Sequence, residues 1–229
     1  STLAEAEYFS AHGITDILYA VGITPQKLDQ VAKLIAAGAK VTVITDDVDV
    51  AQAIAAHPAG IQALIEIDCG EQRGGMLPDA PELEAVAAAL GPCLAGIMTH
   101  AGHSYSGRSI PEMADIAETE RQAALAAVRR LSAAGMACPV VSVGSSPTAL
   151  HARALGGVTE TRPGVYMFGD LFQAEIQTVE PEAIAVTVLA SVIGRRLAER
   201  RIVLDAGGMA LSKDRATESA PHDFKFGLV

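Results

Sequence analysis

The sequence predicts an α/β fold: a (β/α)8 TIM-type barrel lacking its first strand, followed by the start of an antiparallel β domain. Three observations carry this reading. Short β-branched runs alternate with Ala-rich helical stretches from residue 14 to residue 168, the pattern of parallel strands joined by right-handed crossovers. Half of the residues are hydrophobic while only 4% are aromatic, so Ala, Val, Leu and Ile carry the apolar content, which suits strands buried on both faces. At 229 residues the chain can bury one core of the size such barrels use.

The elements follow in order. Thr2-Leu3-Ala4-Glu5 reads as a capping box that opens a helix stopping at Gly13. A chain opening on a helix cap implies a strand before residue 1, an eighth beside the seven found downstream. Residues 14–20 form the first strand, and residues 25–37 a helix with Pro25 in its first turn and Gly38 after it. Residues 41–45 are a β-branched strand, and Asp46 or Asp47 caps a helix running to about His57. Strands at 61–68 and 94–99 flank a helix at 81–90; a long helix at 111–134 ends at Gly135. A strand at 139–144, a helix at about 147–155 and two short strands at 158–161 and 165–168 complete the barrel, which takes residues 1–180. The rhythm then changes. Long strands at 183–196 and 201–205 make residues 181–229 the beginning of a C-terminal β domain.

Bulk composition excludes several functions. A net charge of −10 argues against a nucleic-acid surface, which needs clustered Lys and Arg. Cys69, Cys93 and Cys138 are odd in number, lack metal-ligand spacing and lie in or beside apolar runs, so they read as buried free thiols of a reducing, cytoplasmic compartment. The longest apolar runs, such as 184–193, are broken by Thr and Ser and too short to span a bilayer.

Polar residues cluster directly after the apolar strands, where active sites of this fold lie. In Val143-Gly144-Ser145-Ser146-Pro147 a strand ends at Gly and a helix starts at Pro, offering amides, hydroxyls and a helix dipole to an anion. An ordinary cap by Ser146 is the plainer alternative. Gly164 permits close backbone approach to a ligand or is a simple turn, and Arg162 before it could reach a phosphate or a ring nitrogen. Arg73, after the strand at 61–68, is a ligand contact or a solvated loop residue. His100, His103 and Tyr105 form the densest polar loop; their rings can stack on a flat cofactor and move protons near neutral pH. The His100–His103 spacing is not a zinc motif.

Five segments, IDCGEQRGGM, MTHAGHSYSG, VSVGSSPTA, RPGVYMFGDLFQ and VLDAGGMALSKD, resemble in sequence and order the D-serine dehydratase-like and D-threonine aldolase family of pyridoxal-phosphate enzymes, which share the alanine-racemase-type barrel. The resemblance implies pyridoxal phosphate at the barrel mouth, its phosphate held by Ser145, Ser146, Gly164 and Val165. It also implies Arg73 near the cofactor ring, His100 stacked on it, Arg162 at the position that contacts the pyridine nitrogen in racemases, and Tyr105 in the pocket. The implied reaction is water elimination from a D-β-hydroxy amino acid, giving a 2-oxo acid and ammonia; aldol cleavage or racemisation on the same scaffold are the siblings. The family's Schiff-base lysine precedes the opening helix, and Lys27, Lys33, Lys40, Lys213 and Lys225 match none of it. A divalent metal, zinc foremost, is implied only through residues beyond Val229. The chain therefore reads as an internal segment of a longer enzyme or a noncatalytic cofactor-binding remnant, with a D-amino acid as substrate, no nucleic-acid or membrane partner, and a homodimer implied by resemblance.

Overall fold

A computed structural model describes residues 2–228. Its main sheet has six parallel strands in chain order, curled into a half-barrel: β1 (Asp16–Gly22), β2 (Lys40–Thr45), β3 (Gln62–Ile67), β4 (Leu94–Thr99), β5 (Val140–Val143) and β6 (Glu160–Thr161). Each strand pairs with the next, in registers such as Val43 with Ala63 and Ile65 with Ile97. Helices α1 (Leu3–Ala11), α2 (Leu28–Ala36), α3 (Val48–Ala56), α4 (Leu83–Leu90), α5 (Ile110–Ala133) and α6 (Ser146–His151) alternate with them. The predicted capping box is present: Thr2 Oγ1 accepts the Glu5 N–H at 3.1 Å, and Glu5 returns the bond to the Thr2 amide.

Side-chain alternation gives the sheet two apolar faces. Val41, Val43, Ala63, Ile65, Ile97 and Val141 pack outward against the helices in the main core. Ile44, Leu64 and Met98 form a smaller cluster, with Leu18, Ala20 and Ala95 packed against it. Between β4 and β5 the backbones nearly touch. A Cβ on Gly96, whose φ is +147°, would fall 2.8 Å from Val140 C and 2.9 Å from Val140 N, and closer still to Val140 O.

Three expectations need correction. The seventh strand at 165–168 is a single 3₁₀ turn, Val165–Met167, between Gly164 and Gly169. Its Tyr166, Met167 and Phe168 side chains are all more than half exposed, so apolar content there reflects surface rather than a buried strand. Helix α6 stops at His151, and a helix α7 (Leu171–Glu175) follows the turn, capped by Asp170. The long strand at 183–196 pairs as a strand only over β7 (Val192–Arg196), which runs antiparallel to β8 (Arg201–Leu204) through a reversal at Arg200, φ +51°. Among the described residues no helix is long and apolar enough to cross a membrane.

Candidate active site

Four strand ends build the site. The chain leaving β3 carries Arg73, that leaving β4 carries His100 and Tyr105, that leaving β5 carries Ser145 and Ser146, and that leaving β6 carries Arg162, Gly164 and Val165.

Gly144 makes the turn out of β5 with φ +128°, and a Cβ there would lie 2.9 Å from the Arg162 amide nitrogen, so only glycine lets the two strand ends approach this closely. Its carbonyl faces His100 Nδ1 at 2.9 Å. A carbonyl oxygen can only accept, so the proton of the neutral imidazole sits on Nδ1 and Nε2 is left as the acceptor.

Ser145 rather than Ser146 is the helix cap. Its Oγ accepts the Thr148 N–H at 3.4 Å, the Thr148 hydroxyl accepts the Ser145 N–H at 3.1 Å, and Ser104 Oγ lies 2.8 Å from Ser145 Oγ. Because α6 spans six residues, its dipole adds little, and the site's strength rests on amide and hydroxyl donors. Ser146 joins the loops: its Oγ accepts the Gly164 N–H at 3.2 Å, and its own N–H reaches Tyr105 Oη at 3.5 Å, a long contact easily exchanged for a ligand oxygen. Beside Gly164 the space is open, since a Cβ there would meet nothing within 4 Å. Two amides and a hydroxyl converging next to that opening fit a tetrahedral oxyanion such as a phosphate.

Arg162 turns inward. Its Nε donates to Ser142 Oγ at 2.7 Å and its Nη2 to the Thr99 carbonyl. Burial pulls its guanidinium below the ordinary value, opposed by the nearby Glu120, Glu160 and Glu66 carboxylates. Burial, reinforced by Asp46, pushes Glu66 up. Arg73 is 62% exposed in its side chain and pairs with Glu71 Oε1 at 3.3 Å; Glu71 Oε2 in turn accepts the Gly102 N–H at 3.2 Å. Arg73 is thus tied to the His100–Tyr105 loop, not to the serines. Val165 opens the one-turn helix after Gly164 and is half-buried.

Several residues escaped sequence reasoning, Glu120 foremost. It is 1% exposed, and its Oε1 accepts from Thr99 Oγ1 at 2.8 Å and the Gly144 N–H at 2.9 Å. The signal existed: Met113, Ala117, Glu120, Ala124, Ala127 and Leu131 recur at helical spacing on the buried face of α5, so a carboxylate occupies a core register. His103 Nδ1 is buried with no hydrogen-bond partner among the described residues. A cavity of about 690 Å³ lies elsewhere, between the β7–β8 hairpin and the tail, and is lined by apolar groups such as Val188, Leu204 and Phe226. Among the described residues no group of three or more His, Cys, Asp or Glu is placed to hold a metal ion.

The three cysteines are free, Cys69 and Cys93 buried and Cys138 half-buried. The Cys69 thiol donates to the His100 carbonyl at 3.4 Å, and burial, aided by Glu120 and Asp68, pushes its pKa up to about 12. Cys69 is expected to resist iodoacetamide at pH 8 in the folded protein and to react fully in urea; peptide mass spectrometry after timed alkylation checks this.

Residues 1–171 match the family model for the alanine racemase N-terminal domain. The chain belongs to that family. Over its whole length it is 45% identical to D-threo-3-hydroxyaspartate dehydratase of Delftia sp. and spans 62% of that protein. The solved structure of this relative superposes with a TM-score of 0.94 at 44% identity, over 98% of this chain and 61% of that one. Two further family relatives are D-threonine aldolase of Arthrobacter sp., 31% identical over 90% of this chain and 56% of that protein, and D-serine dehydratase of Dictyostelium discoideum, 28% identical over 93% and 59%. The chain therefore spans about three fifths of the length of these relatives.

Proposed function

We propose that this chain is the cofactor-binding half-barrel of a pyridoxal-phosphate-dependent lyase that eliminates water from D-β-hydroxy amino acids. The carrying observation is the 3.2 Å bond from the Gly164 amide to Ser146 Oγ, which brings the loops after β5 and β6 to one opening. In this reading Ser146, Gly164 and Val165 hold the phosphate, while Ser145 sets the geometry of the turn through its cap and Ser104. His100, its ring fixed by Gly144, would stack on the cofactor, and Arg73 with Glu71 would border it from the β3 side. Bound pyridoxal phosphate supplies an electron sink that acidifies the substrate α-carbon. Tyr105, whose hydroxyl lies beside the Ser146 amide, would move a proton to or from the reacting groups, and Arg162 keeps the strand ends together from beneath. The α-proton and the β-hydroxide leave together as water, and the resulting enamine tautomerises and takes water back, releasing ammonia and a 2-oxo acid. Residues 1–180 would form the cofactor domain and residues 181–229 the start of a β domain, in a cytoplasmic homodimer.

The test is direct. The full-length protein is incubated with pyridoxal phosphate and, separately, D-threo-3-hydroxyaspartate, D-serine and D-threonine, with 2-oxo acid, ammonia and glycine measured. Release of 2-oxo acid and ammonia is expected, and Ser146→Ala is expected to weaken pyridoxal phosphate about tenfold through the lost hydroxyl. Glycine plus an aldehyde would replace dehydration by aldol cleavage. No pyridoxal phosphate binding, with stabilisation by sugar phosphates instead, would overturn the reading.

A further inference from the structure

Glu120 is a buried carboxylate in the middle of an outer helix, and it reaches past the main core to the strand ends. Glu120 Oε1 takes two hydrogen bonds at once, from the Thr99 hydroxyl at 2.8 Å and the Gly144 amide at 2.9 Å. Thr99 is the last residue of β4 and precedes His100; Gly144 follows β5 and precedes Ser145. One oxygen therefore fastens the two strand ends that carry most of the candidate site. Gly144 is held at both poles, its N–H by Glu120 and its carbonyl by His100, and at φ +128° its backbone has the freedom of glycine, so these two bonds fix which conformation it takes. Released from Glu120, the Gly144 peptide could rotate and carry the Ser145 and Ser146 amides out of alignment. Thr99 adds a further tie, since its carbonyl accepts from Arg162 Nη2.

We propose that Glu120 is a positioning residue for the anion grip, acting through Gly144 on Ser146 and Gly164. The inference rests on the cofactor reading above. It concerns geometry rather than charge: an acceptor of the right length matters, and a negative charge does not.

Four forms of the full-length protein decide it: wild type, Glu120→Ala, Glu120→Gln and Glu120→Asp. Each is titrated with pyridoxal phosphate and with pyridoxal, which lacks the phosphate, and each is melted without ligand. Glu120→Ala leaves two buried donors unpaired and is expected to weaken pyridoxal phosphate about 30-fold while changing pyridoxal by less than about threefold. Glu120→Gln keeps an oxygen at the same reach and is expected to stay within about threefold of wild type for both ligands. Glu120→Asp keeps the charge but withdraws the oxygen and is expected to lose phosphate affinity like the alanine form. If wild type prefers pyridoxal phosphate and Glu120→Ala keeps the same preference, the inference is overturned, whatever its melting temperature. Should the alanine form not fold, the ordering of the other two decides, and Asp binding tighter than Gln overturns the inference. A wild type that does not distinguish the two ligands brings down the cofactor reading and this inference with it.

Discussion

Replacing Gly96 with alanine is expected to lower the unfolding midpoint of the protein sharply. Gly96 sits inside β4 at φ +147°, where a side chain is strained, and the added methyl would overlap the Val140 peptide of the neighbouring strand. Backbone cannot yield as a flexible side chain can, so the β4–β5 ladder must open around Gly96–Val140 and Ile97–Val141. Strain of this kind and the lost pairing together amount to about 3–5 kcal/mol, a large share of the ~5–15 kcal/mol that stabilises a domain. Urea titration followed by circular dichroism reads it. An unchanged midpoint would mean that the two strands can separate freely, which would contradict the packing of Ile97 and Val141 in the main core.

The second large effect is expected at Arg162. Arg162→Leu removes the donor to Ser142 and Thr99 and leaves Glu120, Glu160 and Glu66 without their shared cation. Glu120 is buried, Arg162 and Glu66 are half-buried and Glu160 is exposed, so solvent screening trims the cost of losing the guanidinium to about 2 kcal/mol at pH 7. The deficit should depend on pH. Burial and Asp46 already raise Glu66, and Arg162 is among the groups that pull it down. Without the guanidinium the folded protein holds carboxyl protons still more readily than the unfolded chain, a stability contribution that grows as pH falls. The gap between variant and wild type should therefore be widest at neutral pH and narrow toward pH 5, leaving only the lost hydrogen bonds. Denaturant midpoints at pH 7 and pH 5 check this, and a gap that widens on acidification would refute the charge argument.

How much of this was legible differs between fold and site. Six strands were readable because β-branched runs such as Val41–Thr45 lie between helix caps and Gly stops, and burial on both faces demands such runs. Residues 165–168 (Val-Tyr-Met-Phe) are also apolar but lack the burial; a run of four apolar residues has no period by which a strand can be told from an exposed turn. The site motifs were legible because they directly follow strands. The direction of Arg162 was not, because it depends on the Ser142–Glu160 and Val143–Thr161 register, which no local pattern encodes. Glu120 was hidden for the opposite reason: carboxylates on a 24-residue helix are ordinarily solvated, and only the placement of the neighbouring alanines betrays it. The cap falls on Ser145 and not on Ser146, because two adjacent hydroxyls before a proline both satisfy a cap pattern and backbone geometry alone chooses between them.

Strand order in the main sheet equals chain order, β1 to β6, with each pairing made to the immediately preceding strand. No strand has to wait for a distant segment before it finds its partner, and each added unit closes only a modest loop. A growing polypeptide could therefore lay down this sheet progressively during translation, with each helix covering its strand soon after both leave the ribosome. Synonymous codon changes that alter elongation speed should then matter little to yield, whereas a circular permutation that splits β3 from β4 should slow refolding.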